Sequence, residues 1–384
     1  MAALPLLSAN MFLASLEDIA KEFEVGYDIV AIALSAYLIF TAVVQILIGP
    51  IADRFGRRPV LLVSLALFFA ASCGTALSSS FASFLVFRVL QGVIATSLAL
   101  SRAIVSDIFT DKQAISTLGY LAMAMSLAPI VGPSVGGALA ELAGWRSNFW
   151  LYSFLGVGVW LLVWFHVPET GRKAQSTPKE FLKSYISLVS IPDFWAYTFI
   201  LSFGIGAFFC FITGIPIVAT KQFYMDQGEI GLVIGTITCG FLIGSFLSGR
   251  FASKYRLDTM ILFGRLVAVF GSSACLFLFW LGFISLQNLL VGALLVGAGN
   301  GLSSPSANLA IISVRKNLSA SASGLSGAVI VLIGAIMTAV TGKILAVYPN
   351  AFALMSIIGS VTFTSLIIAF YQTAYKKVVV TKTS

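Results

Sequence analysis

The chain has 384 residues, of which 59% are hydrophobic and 10% charged, with mean hydropathy +0.99 and formal net charge +8. Soluble domains carry roughly 25% charged residues; this chain cannot clothe a water-facing surface, and in lipid only helices or a closed barrel satisfy every backbone polar group. The apolar runs last about 20 residues without two-residue alternation, which selects helices. Their basic residues sit in short loops, a sign of membrane orientation rather than of nucleic-acid binding.

Twelve spans follow in chain order: 1–20, 29–50, 59–78, 81–107, 115–140, 147–167, 193–219, 229–250, 258–283, 286–313, 320–345 and 348–372. Met1–Leu16 is short for a span, so the first helix either extends through the acidic segment Glu17–Glu24 or continues upstream of Met1. One long polar connection, Pro168 to Pro192, separates the first six spans from the last six. The expected domains are a six-helix bundle over 1–167, a cytoplasmic linker over 168–192, a second six-helix bundle over 193–375 and a tail over 376–384. Loops on the linker side, with the tail, hold 16 Lys and Arg against 4 on the other, which puts linker and C-terminus in the cytoplasm. Trp145, Trp150, Trp195 and Trp280 fall near span ends and read as an aromatic belt. The four cysteines, Cys73, Cys210, Cys239 and Cys275, lie singly in apolar runs and read as small packing residues.

The loop after span 2 reads GPIADRFGRRP, Gly49 to Pro59. Gly49 and Gly56 permit a tight turn and close helix approach, and Pro59 suits a first helical turn. Asp53 can face a helix N-terminus, where negative charge gains ~0.3–1 kcal/mol. Arg57 or Arg58 can pair with Asp107 at the end of span 4. The echo GSFLSGRFASKYR, Gly244–Arg256, follows span 8 and argues for two repeated halves. In span 5, Gly132 and Gly136 share a face, Gly137 follows, and Pro129 and Pro133 each remove a backbone donor. Span 8 offers Gly231, Gly235, Gly240 and Gly244 at small-residue packing spacings.

These stretches resemble the signatures of the major facilitator superfamily: GPIADRFGRRP its loop 2–3 motif, Arg88-Val-Leu-Gln91-Gly92 its span 4 motif, and Ala128–Gly137 the span 5 motif of drug–proton antiporters. SRAIVSD, Ser101–Asp107, is similar to a segment of the Bcr/CflA-type drug-resistance exporters. The resemblance implies an all-α membrane protein of 12 transmembrane helices in two pseudo-symmetric six-helix bundles. It also implies a loop 2–3 latch on the cytoplasmic side, built from Gly49, Asp53, Gly56, Arg57, Arg58 and Asp107, and spans 5 and 8 meeting across the halves. The sequence departs from the exporter pattern twice: Asn10 stands at the usual acidic position of span 1, and Ser106 where Arg usually precedes the Asp.

Three arginines, Arg88, Arg102 and Arg265, fall inside spans, while all 15 acidic residues lie in loops or near span ends. Ionisable groups inside a membrane are expensive and mark function. With neutral Asn10 unable to exchange a proton, the candidate proton carriers are Glu17, Asp18 and Asp107; the lone His166 sits at a span end. Arginines without carboxylates favour an anionic or neutral cargo, unless they are satisfied within the protein. Candidate substrate-binding residues are Asn10, Tyr37, Arg88, Gln91, Arg102, Arg265, Asn300 and Asn308.

No Walker sequence and no clustered metal ligands occur, so neither ATP hydrolysis nor a cofactor is expected, and the chain is not expected to be an enzyme. The expected partners are a small-molecule substrate, protons and the lipid bilayer, not nucleic acid, for a monomer in the bacterial inner membrane. The resemblance implies proton-coupled multidrug-type export; the charge pattern points to export of an anionic metabolite such as a carboxylate siderophore, and a non-transporting sensor or scaffold is the reading from another class.

Overall fold

The computed structural model describes residues 1–171, 185–225, 227–251, 254–315 and 318–383, so the middle of the Pro168–Pro192 linker lies outside the described residues. Among these the regular elements are helices: α1 (Leu4–Asn10), α2 (Leu16–Glu22), α3 (Tyr27–Phe55), α4 (Arg57–Ala76), α5 (Phe81–Leu90), α6 (Ala95–Ile108), α7 (Asp111–Ala143), α8 (Arg146–His166), α9 (Pro192–Phe223), α10 (Gln227–Phe251), α11 (Leu257–Trp280), α12 (Leu286–Ser313), α13 (Ser319–Val347) and α14 (Ala351–Thr383). Among the described residues ten helical stretches are long and apolar enough to cross a membrane.

Each expected span coincides with a helix or with two helices in series. Spans 1 and 4 are the broken ones. The first is α1, a 3-10 segment Met11–Ser15 and α2; the fourth is α5, a 3-10 segment Gln91–Ile94 and α6. Polar residues mark the first break: Asn10 Nδ2 donates to Leu6 O at 2.7 Å, drawing an amide back onto its own turn. Several ends follow sequence-legible caps. Ser80 and Ser83 form a capping box at α5, and Ser285 Oγ accepts from Asn288 N–H at α12. At the other end of the chain, α14 runs on to Thr383 through the segment expected as a tail, where no glycine or proline interrupts it.

The chain forms two compact units. The first comprises Met1–Ile108, Leu127–Ile186 and Arg315–Ala328; the second comprises Phe109–Ser126, Ser187–Val314 and Val329–Ser384. Each therefore takes one segment from the sequence half that otherwise builds the other.

In the first unit a run of edge-to-face and tilted rings joins Phe23, Phe84, Trp145, Phe149 and Tyr152, with centroids 5.5–5.8 Å apart. Trp145 thus corrects the belt expectation. It is 3% exposed and its Nε1 donates to Glu22 Oε2 at 2.6 Å, while Trp280 is 75% exposed as a belt residue would be. The cysteines divide similarly: Cys210 and Cys275 are buried, but Cys239 is exposed on the surface of α10.

The second unit is built around α12, whose glycines let backbones touch. A Cβ at Gly240 or Gly244 of α10 would overlap the carbonyls of Leu294 or Ala298, and one at Gly297 or Gly301 of α12 would overlap those of Ile237 or Phe241. The span 8 glycines at 240 and 244 therefore serve the α10–α12 contact and not a contact with span 5. Span 5 meets span 8 elsewhere, where Gly119 of α7 abuts Gly249 and Ser245 of α10. The signature glycines of span 5 pack in the first unit instead: Gly132 lies against Asn10 and Met11, and a Cβ at Gly136 would overlap Met11 O. The motif's glycines thus lie against the broken first span, where the missing side chain at Gly136 lets the Met11 backbone approach closely.

Gly244→Val is expected to lower thermal stability by about 1–3 kcal/mol, the usual range for overpacking, whereas Gly235→Ala, which meets no described atom within 4 Å, is expected to be neutral. Thermal denaturation of the two purified variants checks this.

Candidate functional site

In the first unit, Gly49–Pro59 occupies the junction of α3 and α4. Gly56 ends α3 with φ +96°, a conformation that side-chain-bearing residues rarely adopt, and the Glu169 carboxylate stands where its Cβ would be. The Arg57 backbone N–H, at the first residue of α4, donates to Glu169 Oε1 at 2.9 Å. Arg57 extends a side chain only 5% exposed, which pairs with Asp107, 20% exposed, and donates to Ser319 Oγ. Asp53 Oδ2 accepts from both Ser321 Oγ (2.6 Å) and Ser321 N–H (3.3 Å) in the first turn of α13. Two carboxylates thus sit on two helix N-termini, where the unpaired N–H groups and the helix dipole favour negative charge. Gly49 touches the Ser321 backbone, Gly324 touches Gln45 O, and Ser323 Oγ donates to Ala99 O at 3.0 Å, so the segment Ser319–Gly324 is gripped along its length.

Arg57, not Arg58, takes Asp107. Arg58 instead donates to Trp164 O at 2.6 Å and lies over the Trp164 ring at 5.5 Å. Glu169, Ser319 and Ser321 were not singled out from the sequence. The one available signal was the SASASG run at the start of span 11, six residues that are all serine, alanine or glycine.

Arg88 and Arg265 are two buried centres, one in each unit. Arg88, fully buried on α5, donates to Ser8 Oγ (3.0 Å), Ser8 O (2.7 Å) and Gln91 Oε1 (2.6 Å), and Gln91 Nε2 donates on to Ser72 Oγ at 2.9 Å. Its guanidinium lies 4.1 Å from the Phe12 ring centre and 4.4 Å from that of Tyr37. Tyr37 Oη donates to Pro5 O at 3.1 Å, fixing one wall of the cage.

Arg265, 1% exposed on α11, donates to Ser303 Oγ, and to Ser365 Oγ at 3.4 Å and Gly299 O at 3.5 Å. It crowds Gly204 of α9, where a Cβ would overlap its Nη1. Asn300 Nδ2 donates to Gly204 O at 2.8 Å. Asn300 Oδ1 is buried without a hydrogen-bond partner among the described residues. Hydroxyls and carbonyls meet both cations, and rings also face Arg88; among the described residues neither has a carboxylate partner.

The remaining candidates scatter. Arg102 on α6 is half-buried, and no hydrogen bond to a described residue holds it. Asn308 is half-buried and donates to Ser304 O at 2.9 Å within its own helix. Asp18 is exposed; the side chains of Glu17, Pro129 and Pro133 lie outside the described residues, and Gly137 is half-buried beside the glycines that pack on the first span. His166 is exposed at the end of α8.

Glu22, at the end of α2, joins Arg146 and Trp145. Partial burial pushes its carboxyl up, but hydrogen bonds from Arg146 and Trp145, with the Arg146 charge, outweigh that and hold it below the ordinary 4.5.

A membrane chain whose described elements are helices, with glycine-packed spans, a buried arginine held by hydroxyls and carbonyls in each unit and a bonded basic loop, has the organisation of a membrane transporter. The profile of the Major Facilitator Superfamily matches residues 1–332, and the chain belongs to that family. It is 29% identical over 276 residues to the uncharacterized MFS-type transporter YdgK of Bacillus subtilis, covering 70% of this chain and 69% of the relative. It is 27% identical over 338 residues to a bicyclomycin resistance protein homolog of Haemophilus influenzae, covering 87% of this chain and 85% of the relative. The solved structure of the proton:xylose symporter XylE aligns over 96% of this chain and 94% of its own with TM-score 0.75 at 13% identity, a likeness of fold.

Two outcomes follow from the geometry. Gly56→Ala is expected to lose roughly 1–3 kcal/mol of stability from backbone strain, a drop readable by thermal denaturation. The Glu22 carboxylate, with a lowered folded pKa, contributes stability above about 4.5 that disappears as pH falls through the folded value. The melting temperature of Glu22→Gln should therefore fall less steeply than wild type between pH 5 and pH 3, on the order of the range over which a salt-bridged carboxylate titrates.

Proposed function

We propose that the chain is a secondary active exporter that moves a small molecule out through the inner membrane by alternating access, coupled to protons. The observation that carries this reading is the bonding of Asp53 and Arg57 to Ser321 and Ser319. Residues where the second span's helix joins the third meet the start of the eleventh there through a few charge-assisted hydrogen bonds, few enough to be remade in each cycle. The drug-resistance names among its relatives support multidrug-type efflux as the default cargo class. The loop acts as a latch at the cytoplasmic face, with the C-terminus on the same side. Glu17, Asp18 and Asp107 are the proton carriers, because span 1 offers Asn10 in place of a carboxylate.

One observation favours a second reading, export of an anionic metabolite. The polar centres display cations without carboxylates, and Arg102 is the least engaged of the three. Arg88 and Arg265 are then structural, satisfied within the protein, and Arg102 meets the cargo.

Inverted vesicles, in which an exporter accumulates its cargo, separate these outcomes. A proton gradient should drive uptake of a cationic dye under the first reading and of a polycarboxylate under the second, and Arg102→Gln should reduce only the latter, by about tenfold for a lost charge-assisted contact. Absence of flux under any gradient contradicts both and supports a sensor or scaffold. Full proton coupling in both Glu17→Gln and Asp107→Asn removes those two as carriers.

A further inference from the structure

The loop joining α10 to α11 repeats the position of the Gly49–Pro59 loop in the second sequence half, but its chemistry differs. Arg57 is enclosed by Asp107, Glu169 and Ser319, whereas Arg250, Lys254 and Arg256 are all exposed, with no ion pair to a described residue. The nearest carboxylate along the chain, Asp258, already accepts from Tyr197 Oη at 2.8 Å.

Beside these cations lies an apolar cleft of about 290 Å³, lined by Phe251 and Tyr255, by Thr259, Met260 and Phe263 of α11, and floored by Leu302 of α12. The Lys254 ammonium is 5.8 Å from the Phe251 ring, so one charge stands at the cleft's own wall. Phe263, Leu266 and Phe270, spaced along α11, are 57%, 47% and 67% exposed, which makes the face around the cleft a bilayer-facing surface.

We propose that this cleft and its three cations form a binding site for one anionic phospholipid, with an acyl chain in the cleft and the phosphate among Lys254, Arg250 and Arg256. An acyl chain gains little by leaving other lipid tails for a protein groove, because both are equally apolar. The cleft alone would therefore not choose among lipids. Three exposed cations, Lys254 at the cleft wall and Arg250 and Arg256 next in the chain to Phe251 and Tyr255, do choose, by drawing in a negatively charged headgroup. A soluble anion would use the cations and ignore the cleft; a lipid uses both.

The full chain in neutral detergent, titrated with phosphatidylglycerol or phosphatidylcholine of matched acyl chains and read by native mass spectrometry, tests the site. Phosphatidylglycerol should be retained in preference, with affinity falling roughly fivefold for each charge removed through Arg250→Gln, Lys254→Gln and Arg256→Gln. Thr259→Trp, which fills the cleft, should reduce retention with all three cations in place, and soluble glycerophosphate should not compete. The single exposed-site variant Lys254→Gln repeats the test should the triple variant fold poorly. Equal retention of the two lipids, unchanged retention in the charge variants, displacement by glycerophosphate, or a dimer in place of lipid adducts would each overturn the proposal.

Discussion

A guanidinium cannot be deprotonated at physiological pH, and inside a membrane it has no water to turn to. The fold must bring acceptors to it. Around Arg88 these are Ser8, Gln91 and two aromatic faces; around Arg265 they are Ser303, Ser365 and the Gly299 carbonyl. Much of the local architecture follows from that demand. Ahead of the break in the first span, Ser8 and Pro5 of α1 turn their carbonyls to Arg88 and Tyr37. Gly204 carries no side chain because Arg265 fills the space, and Asn300 ties the same carbonyl to α12.

Arg57 solves the same problem at the membrane edge by different means. Asp107 neutralises it, Ser319 takes a second donor, and Glu169 takes the backbone N–H of the same residue. Removing one partner from such a set leaves a charge or a helix terminus unsatisfied. These contacts are polar and made by side chains, whereas α10 and α12 meet through closely packed glycine backbones. The exposed cations on the α10–α11 loop complete the comparison: a similar stretch of sequence, with no ion pair to a described residue, turns to the surroundings.

The helical fold and the order of spans were legible because apolar runs, ten of them among the described residues long enough to cross a membrane, leave few alternatives, and the GPIADRFGRRP residues were legible because charge is scarce in such a chain. Their partners were not. Ser319 and Ser321 lie some 260 residues away, a pairing set by tertiary contact that no spacing rule encodes. The glycine stripes showed that helices approach closely but not which helix each glycine faces: spans 5 and 8 do meet, at Gly119 and Gly249, while Gly240 and Gly244 of the span 8 stripe face α12. Trp145 read as a belt residue because position near a span end does not distinguish a ring facing lipid from one turned into the bundle.

The central claim is that the Asp53–Ser321 junction opens during each transport cycle. In a chain with Cys73, Cys210, Cys239 and Cys275 replaced by serine, the pair Asp53→Cys and Ser321→Cys can be oxidised to a disulfide. Substrate flux across proteoliposomes is then measured before oxidation, after it and after reduction. The account predicts that flux ceases in the cross-linked protein and returns on reduction; undiminished flux with the disulfide formed would contradict it.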